Sequence, residues 1–249
     1  MKELFYSLIF AIQFLTRIPL AHKRAPEHIA MRRALALFPL VGFLIGGMLY
    51  ILWRLLASLA QFNPYTIALF IVTGDVMITG AFHLDGLADT FDAFLSSQTT
   101  REQKLAIMKD SRIGVMGATA LIISLLLKTA LVGEILQRGL PSALLVYPAL
   151  GRWAQVFFLY ASPYVRESGT AHMLAQSADG KTLARASLWL IPCLFFPSFY
   201  LIFLLFLGAL FIYRSYVHRR IGGITGDVLG SATVIAEIVV LFSISVCAG

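Results

Sequence analysis

Long apolar runs separated by short polar stretches set the pattern of this chain. Runs near the length of a bilayer-crossing helix, about 20 residues, fall at about 34–53, 65–84, 113–133, 142–161, 188–213 and 228–247. The pattern predicts an all-α polytopic integral membrane protein with six transmembrane helices, or seven if the first apolar stretch also crosses. That stretch, "LFYSLIFAIQFLTRIPL", is short and is interrupted by Gln13, Thr16 and Arg17, which suits an interfacial or partly inserted helix. Only Lys2 marks a basic leader and no small-x-small site follows, so a cleaved signal peptide is not expected.

Composition agrees with the pattern. Of 249 residues, 59% are hydrophobic and 13% charged, against roughly 25% charged in a soluble domain. The formal net charge of +7 would suggest nucleic acid in a soluble protein. In a membrane protein it reflects basic cytoplasmic loops, and no nucleic-acid partner is expected. Cys193 and Cys247 lie in apolar runs outside any C-x-x-C or Cys/His cluster, which argues against both a disulfide framework and zinc. No repeat, low-complexity tract or long linker divides the chain, so residues 1–249 read as a single membrane domain.

Loop charges orient the spans. The 17–33 segment carries Arg17, Lys23, Arg24, Arg32 and Arg33, and the 85–112 segment carries Arg101, Lys104, Lys109 and Arg112. The 54–64 and 134–141 segments hold only Arg54 and Arg138. The first two therefore read as cytoplasmic. Beyond residue 140 the rule strains, because 162–187 (Arg166, Lys181, Arg185) and 214–227 (Arg214, Arg219, Arg220) both read as cytoplasmic with one apparent span between them. Either 188–213, with Pro192 and Pro197, is not a simple span, or 142–161, with Arg152 near its middle, is not.

Three polar segments at span ends carry candidate chemistry. In "GAFHLDGLADTFDAF", after an apolar run that itself holds Asp75, the aspartates Asp85, Asp89 and Asp92 stand at i, i+4 and i+7. On a helix they share one face. Carboxylates so placed repel one another unless a cation sits among them, and hard oxygen ligands suit Mg²⁺ or Mn²⁺. A solvated amphipathic helix fits the same face, although its other positions, Leu84, Leu87, Ala88, Phe91 and Phe94, are apolar. His83 reads as a base, a partner of Asp85 or a structural histidine. In "LAIMKDSRIGVMG", Asp110 and Arg112 bracket Ser111 before a span. That arrangement suits phosphate binding or a helix cap. In "RRIGGITGDVLGS", Gly222, Gly223, Gly226 and Gly230 allow a backbone to approach a ligand, with Thr225 and Asp227 as oxygen donors. A tight interhelical turn reads equally well, and the segment is neither a P-loop nor a Rossmann fingerprint. Arg152 and Glu237 are intramembrane charges, functional candidates or partners of each other. Together the three segments fit a metal-bound diphosphate, the setting of phosphoryl transfer.

"FHLDGLADTFDAF", "MKDSRIGVMG" and "GGITGDVLG", in this order, with "FLTRIPL" near the start and "FPLVG" at 38–42, resemble the adenosylcobinamide-GDP ribazoletransferase family, also called cobalamin 5′-phosphate synthases. The likeness spans essentially the whole chain. It implies an inner-membrane enzyme with its active site facing the cytoplasm, acting at the last assembly step of the cobalamin nucleotide loop. The 3′-hydroxyl of α-ribazole, or of its 5′-phosphate, would attack adenosylcobinamide-GDP and release GMP, with Mg²⁺. Carried onto this sequence, the resemblance gives Asp85 as the essential acid. Asp85, Asp89, Asp110 and Asp227 are then metal ligands, and Asp85, Asp92 and His83 are catalytic candidates. Arg112, Ser111, Arg152, Gly222, Gly223, Thr225 and Gly226 stand at the phosphates. Ala93 occupies a place where the family would accommodate glycine. The oligomeric state is left open.

Two other classes compete. A CDP-alcohol phosphotransferase also clusters aspartates at the membrane edge, but its D-x-x-D-G-x-x-A-R pattern fails here, with Phe82 and Asp89 at two required places. A cation-coupled transporter would route ions past Asp75, Arg152 and Glu237. Against that, the polar clusters lie at one edge and no repeat relates the two halves.

Overall fold

A computed structural model describes residues 2–20, 28–59, 61–167 and 169–247. Lys23 and Arg24, counted above in the first basic loop, lie outside the described residues. The chain runs through α1 (Lys2–Leu15), α2 (His28–Ala36), α3 (Phe38–Leu59), α4 (Pro64–Thr79), α5 (Phe82–Leu95) and α6 (Arg101–Ile107). It continues through α7 (Val115–Gln137), α8 (Ala143–Ala161), α9 (Thr170–Ser177), α10 (Gly180–Leu188), a 3₁₀ turn (Ile191–Phe195), α11 (Phe199–Ile221) and α12 (Gly226–Cys247). Helices dominate because a backbone in hydrocarbon must satisfy its hydrogen bonds within its own segment. Local signals set several of the ends. Asn63 Oδ1 accepts the Thr66 N–H at 2.9 Å ahead of Pro64, the first residue of α4, a capping residue followed by a proline whose missing N–H costs nothing there.

The all-α membrane class holds, but the expected count of six to seven spans is too high. Among the described residues, α3, α7, α11 and α12 are long and apolar enough to cross a membrane, making four, or five if the bent pair α4–α5 counts as one span. The run at 65–84 breaks at Gly80 and Ala81, which both take left-handed backbone (φ 65° and 60°), and α5 leaves α4 at 90°. Hydropathy along the chain does not register this turn, because the apolar residues continue through it.

The strain after residue 140 resolves on both of its alternatives. The run at 142–161 is α8, held in the middle of the bundle, with Arg152 fully buried. The run at 188–213 is not one span. α10 starts beside Tyr160, near the end of α8, and Ser187 Oγ accepts from Trp153 Nε1 at 2.9 Å, well back along it. α11 then returns in the direction of α8, with Phe203 against Trp153, Phe211 against Phe157 and Arg214 donating to the Ala161 carbonyl. The start of α11 lies four residues before Phe203, about 6 Å beyond Trp153 at the helical rise. Segment 180–214 is therefore a hairpin along α8, with Gly180 and Arg214 both near the same end of that helix. Both basic loops flank it on the same side.

The remaining helices alternate in direction. Gly42 and Gly46 of α3 pass against Ala149 and Leu144 of α8, an antiparallel crossing in which a Cβ at either glycine would meet backbone at 2.5 Å. Small residues at such contacts let helices approach closely where no hydrophobic drive operates between them. Tyr65 and Asp75 of α4 face Gly133 and Lys128 of α7, and Arg152 and Gln155 of α8 face Glu237 and Thr233 of α12.

Four charges meet inside the bundle. Lys128 Nζ donates to Asp75 Oδ2 and to Glu237 Oε2, both at 2.5 Å, and Arg152 pairs with the other Glu237 oxygen. The Lys128 ammonium also lies 5.0 Å from the centre of the Tyr147 ring. Two acids and two bases balance, tying α4, α7, α8 and α12 at one depth.

Two outcomes follow from this fold. In a background lacking Cys193 and Cys247, Lys181→Cys and Arg219→Cys will react with a membrane-impermeant maleimide from the same side of sealed vesicles; labelling from opposite sides would make α11 a crossing helix. Glu237→Gln removes the acid shared by Lys128 and Arg152. It will destabilise the protein by about 3–5 kcal/mol, read as a fall in the midpoint of thermal unfolding by circular dichroism in detergent.

Candidate active site

The bend at Gly80 and Ala81 lays α5 across the end of the bundle, where it packs on α12 and α7. Its closest approach is at Gly86. A Cβ there would lie 2.6 Å from the Asp227 carbonyl and 2.9 Å from its Cα, so only glycine fits. Gly230, one turn along α12, passes the His83 backbone in the same way, with a built Cβ at 3.2 Å. This crossing sets Asp85 and Asp89 of α5 beside Asp227 in the first turn of α12. Asp227, Asp85 and Asp92 all act electrostatically on Asp89, and Arg166 is the cation that acts on it.

Arg166 received no role in the sequence reading. It lies in the loop between α8 and α9, and its Nη2 donates to Asp227 Oδ2 at 2.7 Å and to the Met108 carbonyl at 3.4 Å. A short parallel bridge fixes that loop. The Ile224 N–H donates to the Pro163 carbonyl at 2.9 Å, and the Val165 N–H to the Ile224 carbonyl at 2.9 Å. Only the positive charge of "SPYVRESG" in a basic loop hinted at it, since its partner Asp227 is 61 residues away.

A cavity of about 380 Å³ opens at this junction, lined by Asp85, His83, Asp227, Arg166, Tyr164 and Gln155 among others. Asp85 is exposed; Asp89, Asp227 and Arg166 are half-buried. Burial pushes the Tyr164 hydroxyl above its ordinary range, with Arg166 and the Gly226 N–H working against that shift. His83 is buried at the back, with its Nε2 3.4 Å from Gln155 Nε2, which in turn donates to Thr233 Oγ1 at 2.7 Å.

The other residues singled out from the sequence take different places. Asp92 points to the start of α7, where its two carboxylate oxygens accept the N–H groups of Gly114 at 2.7 Å and Gly117 at 2.8 Å. An acid at a helix N-terminus satisfies free donors and meets the positive end of the dipole. Asp110 and Arg112 pair with each other, Nη2 to Oδ2 at 2.6 Å, in the loop before α7, with the Arg112 side chain 88% exposed. The Arg112 guanidinium holds the Asp110 carboxyl down to about 2. Ser111 is exposed in the same loop, and none of the three lines the cavity. Arg152 belongs to the buried ion network.

In the glycine-rich segment, Gly222 ends α11 in left-handed backbone (φ 74°), with its N–H on the His218 carbonyl at 2.9 Å. Gly223 lies flat against Pro163, and the Thr225 hydroxyl accepts the Val228 N–H at 3.2 Å, capping α12. Gly226, Asp227 and Gly230 line the cavity, whereas Gly222, Gly223 and Thr225 do not. The segment is thus mostly a turn that aims Asp227.

Three carboxylates, Asp85, Asp89 and Asp227, with one nearby guanidinium leave this membrane edge rich in negative oxygen donors. Among the described residues, no three His, Cys, Asp or Glu side chains are drawn together tightly enough to hold a metal ion by themselves. Hard oxygen donors of this kind are the type that a divalent cation such as Mg²⁺ takes.

These features define a multi-pass α-helical membrane protein with a carboxylate and arginine cleft at one end of its bundle. The chain matches the family model described as cobalamin-5-phosphate synthase over residues 7–245, and it belongs to that family. Its relatives include proteins named adenosylcobinamide-GDP ribazoletransferase. That of Pseudomonas paraeruginosa is 36% identical over 98% of this chain and 100% of its own length. That of Caldanaerobacter subterraneus is 34% identical over 99% and 100%, and that of Acinetobacter baumannii is 35% identical over 94% of each. No solved structure matches this chain.

Asp92→Ala frees both donors at the start of α7 and will cost about 1–2 kcal/mol. Faster amide exchange at Gly114 and Gly117 than in the parent protein is the expected reading, with Asp92→Asn retaining part of the protection.

Proposed function

We propose that this chain is an adenosylcobinamide-GDP ribazoletransferase working at the cytoplasmic face of the inner membrane. The observation that carries this reading is the single cleft in which Asp85, Asp227 and Arg166 meet. Relatives bearing that activity in their names align over nearly the whole chain. The basic loops on the cleft side support a cytoplasmic orientation by the positive-inside rule.

In the proposed reaction the 3′-hydroxyl of α-ribazole, or of α-ribazole 5′-phosphate, attacks the cobinamide-linked phosphorus of adenosylcobinamide-GDP. A new P–O bond forms as the bond to the bridging oxygen breaks, and GMP leaves with that oxygen. Arg166 takes a phosphate oxygen and offsets the charge that spreads over the transferred group. Asp85, the exposed carboxylate of the cleft, receives the hydroxyl proton, and His83 at the back holds the acceptor by a hydrogen bond. Asp89 and Asp227 would hold Mg²⁺, whose chemistry there is to neutralise the diphosphate and polarise it. Asp92 keeps α5 and α7 in register, and Asp110 and Arg112 stand outside the cleft. The cavity admits the diphosphate and the acceptor end, so the corrinoid body stays at the membrane edge.

The transporter alternative loses support here, because the acids it needs, Asp75 and Glu237, are neutralised by Lys128 and Arg152.

GMP release from adenosylcobinamide-GDP and α-ribazole 5′-phosphate, measured in liposomes, tests the reading. Asp85→Asn will lower the rate by about 10²-fold or more, and chelation of Mg²⁺ will abolish it. Release unchanged by chelation removes the metal from the proposal, and no release from folded wild type removes the reaction.

A further inference from the structure

Away from the cleft, α1, α2 and α10 frame a second cavity of about 360 Å³. Leu4, Leu37, Leu188 and Trp189 give it apolar walls, and Arg33 and Arg185 line it as well. Leu4 is 56% exposed, Leu188 62% and Trp189 37%, so the walls continue onto the outer surface of the protein. That surface runs on through the following 3₁₀ turn, where Ile191, Leu194 and Phe195 are also exposed.

The two arginines set this surface apart from plain lipid-facing apolar skin. Glu3 takes one edge of the Arg33 guanidinium. Among the described residues Arg185 has no acidic partner. An exposed guanidinium on a surface of leucines, at the end of a bundle that sits in a bilayer, needs an anion that can come from the lipid side. α10 has the matching build, with Thr182 and Ala186 buried and Lys181, Arg185 and Leu188 outward.

We propose that this cavity binds an anionic phospholipid. The phosphate lies between Arg33 and Arg185, and an acyl chain runs over Leu188, Trp189 and the 3₁₀ turn. Charge complementarity and the unbroken apolar path from the cavity to the outer surface favour a lipid over a second copy of the chain.

Quenching of tryptophan emission tests it with the intact protein. Wild type is reconstituted in phosphatidylcholine vesicles doped with brominated phosphatidylglycerol or, at equal mole fraction, brominated phosphatidylcholine. The Trp189 share is the difference from Trp189→Phe. Expected is quenching roughly fivefold stronger by the anionic lipid, and loss of that preference in the double variant Arg33→Gln, Arg185→Gln with its helical circular dichroism intact. Equal quenching by the two lipids overturns the proposal, as does a preference that survives in the double variant. Quenching by neither gives the cavity to a second copy and also overturns it. Should the double variant lose helix, salt titration of wild type decides: the preference must fall as charge is screened, and one indifferent to salt sinks the idea.

Discussion

Charges inside a bilayer must find partners, and that constraint organises this protein. Asp75, Lys128, Glu237 and Arg152 come from four helices and meet at one depth as two acids and two bases. Each is expensive to bury alone, so each is tolerated only while the others are in place. The network therefore specifies which helices are neighbours and at what height. α4, α7, α8 and α12 are the helices from which the cleft is hung, so the geometry of Asp85, Asp89 and Asp227 rests on a cluster of charges well below them.

Above the network, contact is governed by small residues and by caps reaching across from other helices. Gly86 brings α5 onto the backbone of Asp227, and Asp92 holds the start of α7. One short helix thus carries two kinds of aspartate. Asp85 lines the cleft and Asp89 lies within electrostatic reach of Asp227 and Arg166, whereas Asp92, one turn further, is spent on backbone donors. Their shared helical face made all three look equivalent, whereas their neighbours do not.

Much of the architecture is legible from hydrophobic runs, because a bilayer leaves a chain few alternatives to helices. α7, α8 and α12 follow from the pattern to within a few residues, and α3 is displaced from its run by one turn or more at each end. The break at Gly80 and Ala81 is invisible to hydropathy. The hairpin at 180–214 shows only as an inconsistency in loop charge, and of the two runs that this left open it is 188–213, with Pro192 and Pro197, that is broken. The cleft is partly legible. Asp85, Asp89 and Asp227 stand in the quoted motifs, since local spacing and family likeness both act along the chain. Arg166 was missed because its meaning depends on a partner brought near by the bridge between Pro163 and Ile224. Lys128 was missed because a single lysine disappears inside an otherwise apolar run.

The hairpin also bears on how the protein is made. α11 is as apolar as a crossing helix, so an insertion machinery that weighs only hydrophobicity would pass it through the membrane and invert everything after it. Arg214, Arg219 and Arg220 at its end oppose that inversion, and the aromatic stack of Trp153, Phe157 and Phe203 exists only once α8 is in place. The orientation of α12, and with it the side on which Asp227 emerges, thus depends on contacts between α11 and α8 that hydrophobicity alone does not encode.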